Sequence, residues 1–179
     1  MYFYVPPPKT GKERNSPMER ISKENYYLDI AETVAKRSTC LRKQFGAIIV
    51  KNDVIVSTGY NGAPRGRQNC SDLHRCIRDE LGIPRGERYE LCRSVHAEMN
   101  AIISASREQM LGGTLYLCCI DAKSGELVPG TCSCMMCKRV VINAGIEKVY
   151  VRDTKESFTV YDTKDWIDND DSLSGKFGY

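Results

Sequence analysis

Residues 45–58 read FGAIIVKNDVIVST, and this stretch decides how the fold begins. Phe45 to Val50 is a continuous apolar run, which is typical of a strand buried on both faces of a sheet. Asn52-Asp53 is a turn signal, and the run from Val54 to Thr58 is rich in β-branched residues. The stretch therefore predicts a hairpin of two strands that opens a sheet.

Further helices and strands are predicted on both sides of this hairpin. Ser22 caps a predicted helix that runs to about Ser38, and Gly145 ends another. The other elements are a helix from His96 to about Arg107, a strand from Thr114 to Cys119, a helix from Cys134 to Ala144 and a strand over Val149 to Val151. The apolar faces at helical spacing are Tyr27, Ile30, Ala31, Val34 and Ala35 in the first helix and Met99, Ile102 and Ile103 in the second. Two helix-to-strand successions suggest a parallel sheet edge, so the predicted fold is α/β, one mixed sheet with helices on both faces.

The length and composition indicate one domain with a flanking segment at each end. A chain of 179 residues fits a single domain with its own core. Residues 1–20, which contain Pro6-Pro7-Pro8, are predicted to form an N-terminal arm, and residues 21–153 the domain. Residues 154–179 are predicted to form a polar C-terminal tail, a partly ordered surface segment.

Charge and hydropathy argue against several classes of protein. The sequence has 26 Lys and Arg against 23 Asp and Glu, and a net charge of +3 is too small to indicate a nucleic-acid partner. No apolar run approaches the roughly 20 residues of a membrane helix, and Met1 to Lys9 lacks the apolar block of a signal peptide. These patterns predict a cytoplasmic protein with neither a membrane nor a nucleic acid as partner.

Nine cysteines are many for a cytoplasmic chain of this size. Disulfides are rare in reducing compartments, so clustered cysteines there indicate metal binding or catalysis. Cys118 and Cys119 lie in an apolar run and are predicted to be buried, inert thiols.

Two short motifs at predicted helix starts carry the chemistry: His96-Ala97-Glu98 and Cys134-Met135-Met136-Cys137. Alone, the first is more often a structural histidine, and the second could be a redox pair or half of a structural zinc site. Together, His96, Cys134 and Cys137 make three ligands that leave one open position on a tetrahedral zinc, as in catalytic sites. The alternative is a closed zinc knuckle completed by Cys132, which does not explain the presence of Glu98.

The spacing of these residues is compatible with one metal site. Cys134 and Cys137 are three apart and share a helix face, and a helix N-terminus favours their thiolates. His96 and Glu98 can both face the site only if His96 lies at an irregular helix entry, for which Ser94 is a candidate cap. Zinc would lower the pKa of a bound water, and a carboxylate beside that water, such as Glu98, could take its proton.

These motifs resemble the deoxycytidylate deaminase family within the cytidine deaminase-like superfamily. The resemblance runs from about Tyr26 to Val151 and is carried by residues 46–50 (GAIIV), 57–64 (STGYNGAP), 96–102 (HAEMNAI) and 143–146 (NAGI). It implies a three-layer fold and zinc-dependent deamination of dCMP to dUMP and ammonia. The Gly-Tyr-Asn-Gly-x-Pro loop favours dCMP over tRNA adenosine or free cytidine.

The resemblance also implies substrate contacts and partners. It implies that Asn61 contacts the nucleotide and that the Ala97 backbone helps to hold the base. Arg65 either meets a phosphate or is a solvated surface residue. A homo-oligomer and regulation by dCTP or dTTP are further implications of the family. The family has Pro where this chain has Ser133, which is itself a good helix cap.

A second, structural zinc is predicted from four other cysteines, Cys40, Cys70, Cys76 and Cys92. Residues 68–92 have little apolar periodicity, and a metal would supply folding energy that the core does not. Some phage members of the family carry an extra zinc, and Cys40 matches one of its ligands by position. His74 could replace one thiol, and the alternative is that all four cysteines are free thiols.

Two other functions remain open from the sequence. The chain could be a deaminase of another small nucleotide or heterocycle, such as a pterin- or riboflavin-type ring, because these share the zinc chemistry. It could also be a catalytically silent zinc-binding accessory protein, although a silent relative has no need of Glu98.

Overall fold

A five-stranded mixed sheet forms the centre of the protein, and the computed structural model describes residues 20–84 and 86–169. The strands are β1 (Lys43–Lys51), β2 (Val54–Tyr60), β3 (Thr114–Asp121), β4 (Lys148–Arg152) and β5 (Phe158–Asp162), in the spatial order β2-β1-β3-β4-β5. β1 is antiparallel to β2 and β3, β3 and β4 are parallel, and β4 is antiparallel to β5. The predicted mixed sheet is confirmed.

Helices cover both faces of this sheet. They are α1 (Lys23–Ala35), α2 (Cys70–Leu73), α3 (Ile77–Glu80), α4 (Ala97–Ile102), α5 (Arg107–Met110), α6 (Met135–Ala144) and α7 (Thr163–Asp168), with a 3-10 turn at Tyr89–Leu91. Within the described ranges, no helix combines the length and apolarity that a membrane crossing requires. Ser22 caps α1 by accepting from the Asn25 amide, and Gly145 ends α6 with φ of 77°, as the sequence predicts.

The predicted hairpin forms around its expected turn. Asn52 and Asp53 both have positive φ, 51° and 62°, which matches the twist of a tight two-residue hairpin loop. Alternate residues of β1 then face opposite layers. Ile48 and Val50 pack with α1, whereas Ala47 and Ile49 belong to the core beneath α4 and α6.

Two glycines allow helices to approach the hairpin closely on opposite faces. A Cβ at Gly46 would lie 2.1 Å from the Ala31 carbonyl oxygen of α1. A Cβ at Gly59 would lie 2.3 Å from the Ala97 carbonyl oxygen and 2.3 Å from the Ala101 amide nitrogen of α4. Gly59 therefore sets how near the first turn of α4 sits to the sheet.

A buried arginine ties α1 to β4, and no sequence pattern predicts it. The Arg152 side chain is fully buried and donates to the side-chain and main-chain oxygens of Asn25. It also pairs with the Asp29 carboxylate. The charge of Arg152 is thus compensated by the N-terminal half of α1, which fixes that helix across the sheet.

Three features differ from the sequence expectation. Residues 158–168, placed in the polar tail, form the edge strand β5 and helix α7, so β5 and not β4 ends the sheet. The helix predicted from His96 to about Arg107 is divided into α4 and α5. Ile103, predicted to be apolar core, is 73% exposed because α4 buries Ala97, Glu98 and Ala101 instead. Residues 1–19 and 170–179, including Pro6-Pro7-Pro8, lie outside the described residues.

Replacing Gly59 by alanine is expected to destabilise the zinc-loaded protein by about 3 kcal/mol or more, because the new methyl group meets backbone atoms that cannot move independently. Urea unfolding measures the loss. Gly66→Ala is the control: its Cβ would enter open space, and only its φ of 82° costs energy, about 1–2 kcal/mol. Equal losses in the two variants would contradict this account of the α4 approach.

Candidate active site

The N-termini of α4 and α6 meet at one point beside the sheet. His96 is the N-cap of α4 and Cys134 is the N-cap of α6, both with extended backbone, φ −71° and −68°. His96 thus lies outside the regular helix, which lets its side chain and that of Glu98 face the same region, as the spacing requires. The cap of α4 is His96 itself and not Ser94, so that prediction is wrong.

Three potential ligand atoms come together at this point. His96 Nδ1 lies 3.4 Å from Cys134 Sγ and 3.3 Å from Cys137 Sγ. The three atoms all lie within 4.8 Å of one another. Nitrogen and sulfur ligands about 2.0–2.1 and 2.3 Å from one tetrahedral zinc have nearly this separation. The residues present therefore fit a zinc ion, bound through Nδ1 and two sulfurs.

The protonation of the two thiols favours a metal. The pKa of Cys134 is lowered, because Cys137 donates a hydrogen bond to its sulfur and His96 adds a second favourable interaction, against the effect of burial. The pKa of Cys137 is raised by the same contact with Cys134 and by burial. The pair holds one thiolate readily, and a cation would stabilise the second.

Glu98 lies in the first turn of α4 and is buried, with 4% of its surface exposed. Burial raises the pKa of its carboxyl group, and the neighbouring His96 opposes this shift. Glu98 is not part of the three-residue ligand group. The arrangement therefore separates three metal ligands from one carboxyl group beside them.

The segment before α6 contributes buried polar atoms and no further ligand. The Oγ atoms of Thr131 and Ser133 are buried and have no hydrogen-bond partner among the described residues. Ser133 replaces the proline of the family pattern, and it lies near enough to Glu98 to oppose weakly the rise that burial causes in the pKa of that carboxyl group. Cys132 is absent from the ligand group, so the described residues give no support to a knuckle closed by Cys132.

A cavity of about 800 Å³ opens in front of the ligand group. Asn61, Ala97 and Glu98 line it, whereas Arg65 is exposed and is not part of its wall. The basic residues of the wall are Arg42, Lys43, Arg75, Arg78, Arg93 and Lys138, and Glu98 is its one acidic residue among those described. The cavity therefore suits an anionic ligand.

Asn61 is already engaged by the protein. Its side-chain oxygen accepts from the Ser38 hydroxyl and, at 2.8 Å, from the Phe45 amide. Its amide nitrogen donates to the Lys43 carbonyl at 2.9 Å. An amide group has two N–H donors, so one remains for a ligand. Asn61 therefore shapes the cavity wall and keeps a single donor for a substrate.

The four cysteines predicted to bind a second zinc line one end of the same cavity. They are Cys40, Cys70, Cys76 and Cys92. Their sulfur atoms do not form a ligand group as tight as that of His96, because the described residues contain one such group only. Burial raises the pKa of the Cys40 thiol, and the Arg42 amide, 3.5 Å from Cys40 Sγ, opposes this rise. His74 is exposed in a left-handed conformation and does not line the cavity.

The sequence analysis does not single out Tyr89 or Arg78. The Tyr89 ring packs edge-on against the His96 ring at 4.9 Å, and the Arg78 guanidinium lies over the Tyr89 ring at 4.5 Å. Both residues come from the weakly periodic stretch 68–92. A lone aromatic residue in a polar stretch is the one signal that could have indicated Tyr89.

The comparisons with known proteins agree with this geometry. Residues 21–153 match the family model of the cytidine and deoxycytidylate deaminase zinc-binding region. The chain belongs to this family. The family model covers about three quarters of the chain and includes every proposed ligand. The family and the His96–Cys134–Cys137 group therefore agree on zinc as the cofactor.

Individual relatives extend the comparison. The deoxycytidylate deaminase of Mycobacterium phage D29 is 35% identical over 136 residues, which are 74% of this chain and 95% of that protein. The Schizosaccharomyces pombe deoxycytidylate deaminase is 32% identical over 130 residues, 73% of this chain but 37% of that protein. The dCMP deaminase of cyanophage S-TIM5, solved in complex with dCMP and dUMP, matches with a TM-score of 0.51 at 27% identity, covering 83% of this chain and 91% of that one. This match bears out the predicted cytidine deaminase-like fold.

Proposed function

We propose that this protein is a zinc-dependent deaminase that hydrolyses dCMP to dUMP and ammonia. The observation that carries the proposal is a buried carboxyl group, Glu98, beside a three-ligand zinc site at the base of a cavity with basic walls. The D29, S. pombe and S-TIM5 proteins, which carry the dCMP deaminase name, support the same substrate.

The residues of the chain divide the work of this reaction. His96 Nδ1 and the sulfurs of Cys134 and Cys137 would hold zinc, which, when bound, makes water acidic enough to lose a proton near neutral pH. Glu98 accepts that proton and delivers it to N3 of the cytosine ring, and it then moves the second proton of the attacking water to the amino group, which leaves as ammonia. The amide of Ala97 lies in the first turn of α4, where it has no partner within its helix, and Ala97 lines the cavity, so this amide can hold the base. The buried setting of Glu98 keeps bulk water from this proton path.

Zinc binding and proton transfer are separable by mutation. Glu98→Gln is expected to retain zinc and lose turnover by about 100- to 10,000-fold, because the amide cannot accept the proton. Cys137→Ser, a matched change in the ligand group, is expected to lose both zinc and turnover. Elemental analysis and ammonia release measure the two effects. Loss of zinc in Glu98→Gln, or near-normal turnover, would contradict the role given to Glu98.

A 5′-monophosphate is the expected form of the substrate. The basic wall of the cavity should contribute charge-assisted hydrogen bonds to a phosphate, so kcat/KM for dCMP should exceed that for deoxycytidine by at least about 100-fold. Product analysis on a panel of cytosine and adenine nucleosides and nucleotides, with pterin and riboflavin-type rings, tests this. Equal specificity constants for dCMP and deoxycytidine would refute the preference, and no product from the whole panel would favour a silent accessory protein.

A second zinc bound by Cys40, Cys70, Cys76 and Cys92 is also proposed. The four residues line one end of the cavity, and electrostatic interactions with Cys40, Cys76 and Cys92 add to burial in raising the pKa of the Cys70 thiol. Thiols this close together repel one another as thiolates, and a zinc ion would relieve that repulsion.

Two zinc ions per chain are expected in the loaded wild-type protein, falling to one in Cys76→Ser. The buried Cys118 provides the control, since Cys118→Ser should leave the zinc content unchanged. Elemental analysis with a quantified protein concentration decides the matter. One zinc per chain in the fully loaded wild type would mean that the four cysteines are free thiols.

A homo-oligomer is proposed on the basis of the family resemblance and one exposed residue. Ile103 of α4 is 73% exposed, although it is large and apolar. Sedimentation of the wild type is expected to give a mass above that of one chain, and Ile103→Asp to lower it. A monomeric wild type at working concentration would refute the proposal.

A further inference from the structure

One arginine in the cavity wall is buried without a carboxylate partner in the described residues. Arg78, in α3, is 6% exposed. Its Nη2 donates to the Pro84 carbonyl oxygen at 2.8 Å, and its Nε is buried with no hydrogen-bond partner. Its guanidinium carbon lies 4.5 Å from the centre of the Tyr89 ring. Stacking on Tyr89 orients the guanidinium group without neutralising its charge.

The other basic residues of the wall form ion pairs, are exposed or are only half-buried. Three form ion pairs, Arg42–Asp79, Lys43–Asp121 and Arg75–Glu80, at 3.2, 2.6 and 2.5 Å. Lys138 lies 5.2 Å from the centre of the Trp166 ring, and Arg93 is exposed and donates to the Gln68 carbonyl. Arg78 thus differs from the rest in being buried and lacking an anion.

A buried charge without an anionic partner is unfavourable, so an anion that binds beside Arg78 would be stabilised there. A guanidinium group offers donors in a planar fork that matches two phosphate oxygens. Because Arg78 lines the cavity, the anion can come from a ligand. A phosphate group on the substrate is an anion and offers oxygens that match the guanidinium fork.

The position of Arg78 relative to the zinc ligands suits a nucleotide. The guanidinium lies 4.5 Å from the Tyr89 ring, and that ring lies 4.9 Å from the His96 ring. The separation between the Arg78 guanidinium carbon and the centre of the His96 ring is therefore at most the sum of these two distances. A pentose separates a pyrimidine base from its 5′-phosphate by a comparable distance, so a nucleotide with its base at Glu98 is long enough for its phosphate to reach Arg78.

We propose that Arg78, held by Tyr89, binds the 5′-phosphate of the substrate and determines the preference for a nucleotide over a nucleoside. The assignment rests on the proposed function for the position of the base. It gives to Arg78 the role that the sequence offered to Arg65, which lies outside the cavity wall.

Specificity constants for dCMP and deoxycytidine test the assignment. Arg78→Gln is expected to lower kcat/KM for dCMP by about 10- to 100-fold and to leave that for deoxycytidine within about twofold, because only the phosphate loses its partner. Arg78→Lys, which keeps the charge but not the fork, should fall between the wild type and Arg78→Gln. Arg88→Gln is the control, since Arg88 is exposed, pairs with Glu90 and lies outside the wall. It should change neither constant.

A purely structural Arg78 gives a different result. Arg78→Gln would then lower both constants equally or lower neither, and either outcome overturns the assignment. If Arg78→Gln does not fold, Arg78→Lys carries the test, because a selective loss with dCMP supports the proposal and an equal or absent loss refutes it.

Calorimetric binding of dUMP and deoxyuridine to the zinc-loaded protein separates this inference from the proposed function, because binding needs no turnover. If the wild type deaminates no cytosine compound, the proposed function fails. A preference for dUMP that is lost in Arg78→Gln would still support the phosphate site. A wild type that binds dUMP no better than deoxyuridine would overturn it.

Discussion

The structure depends on the convergence of two helix N-termini on one small volume. His96 caps α4 and Cys134 caps α6, and their ligand atoms, with Cys137 Sγ, lie within 4.8 Å of one another. Two helix dipoles then direct their positive ends toward the thiols, which favours thiolate and hence a metal cation. The same arrangement places Glu98 in the first turn of α4, close to the ligands without being one of them. Ligands and proton carrier are therefore positioned by a single packing event.

The sheet makes this convergence possible. The β3–α6–β4 unit is parallel, which brings α6 back over the sheet beside α4. Gly59 lets α4 approach β2 to backbone contact, and Gly46 does the same for α1 on the opposite face. Arg152 then fixes α1 through Asn25 and Asp29. Rigid elements on both sides of the sheet thus hold side chains that must keep their separation to within a few tenths of an ångström.

Much of the fold follows from local patterns in the sequence. The hairpin follows from an apolar run and the Asn52-Asp53 turn. The start of α1 follows from Ser22 and the end of α6 from Gly145, because caps and turns depend on neighbouring residues. The division between α4 and α5 also has a local signal, the capping box of Ser106 and Gln109, which the sequence analysis did not use. Strand β5 reads FTVYD, which is a strand signal in its own right, but it is missed because the residues around it are polar and its pairing with β4 is visible only in the structure.

For the candidate site, the sequence by itself determined which residues are candidate ligands and which carboxyl group accompanies them, because their types and spacing limit what they can bind. The comparison with the family then agrees on zinc. Only the tertiary structure decided which charged residues line the cavity. Arg65 and Arg78 are equally basic in the sequence, but the loop of Arg65 leaves it in solvent while α3 buries Arg78 in the cavity wall. Asn61 belongs to the loop whose sequence resembles that of the family, but its side chain forms hydrogen bonds with the β1 backbone. The physical reason is that ligand chemistry is a property of a side chain, whereas burial and partners come from segments distant in sequence that only folding brings together.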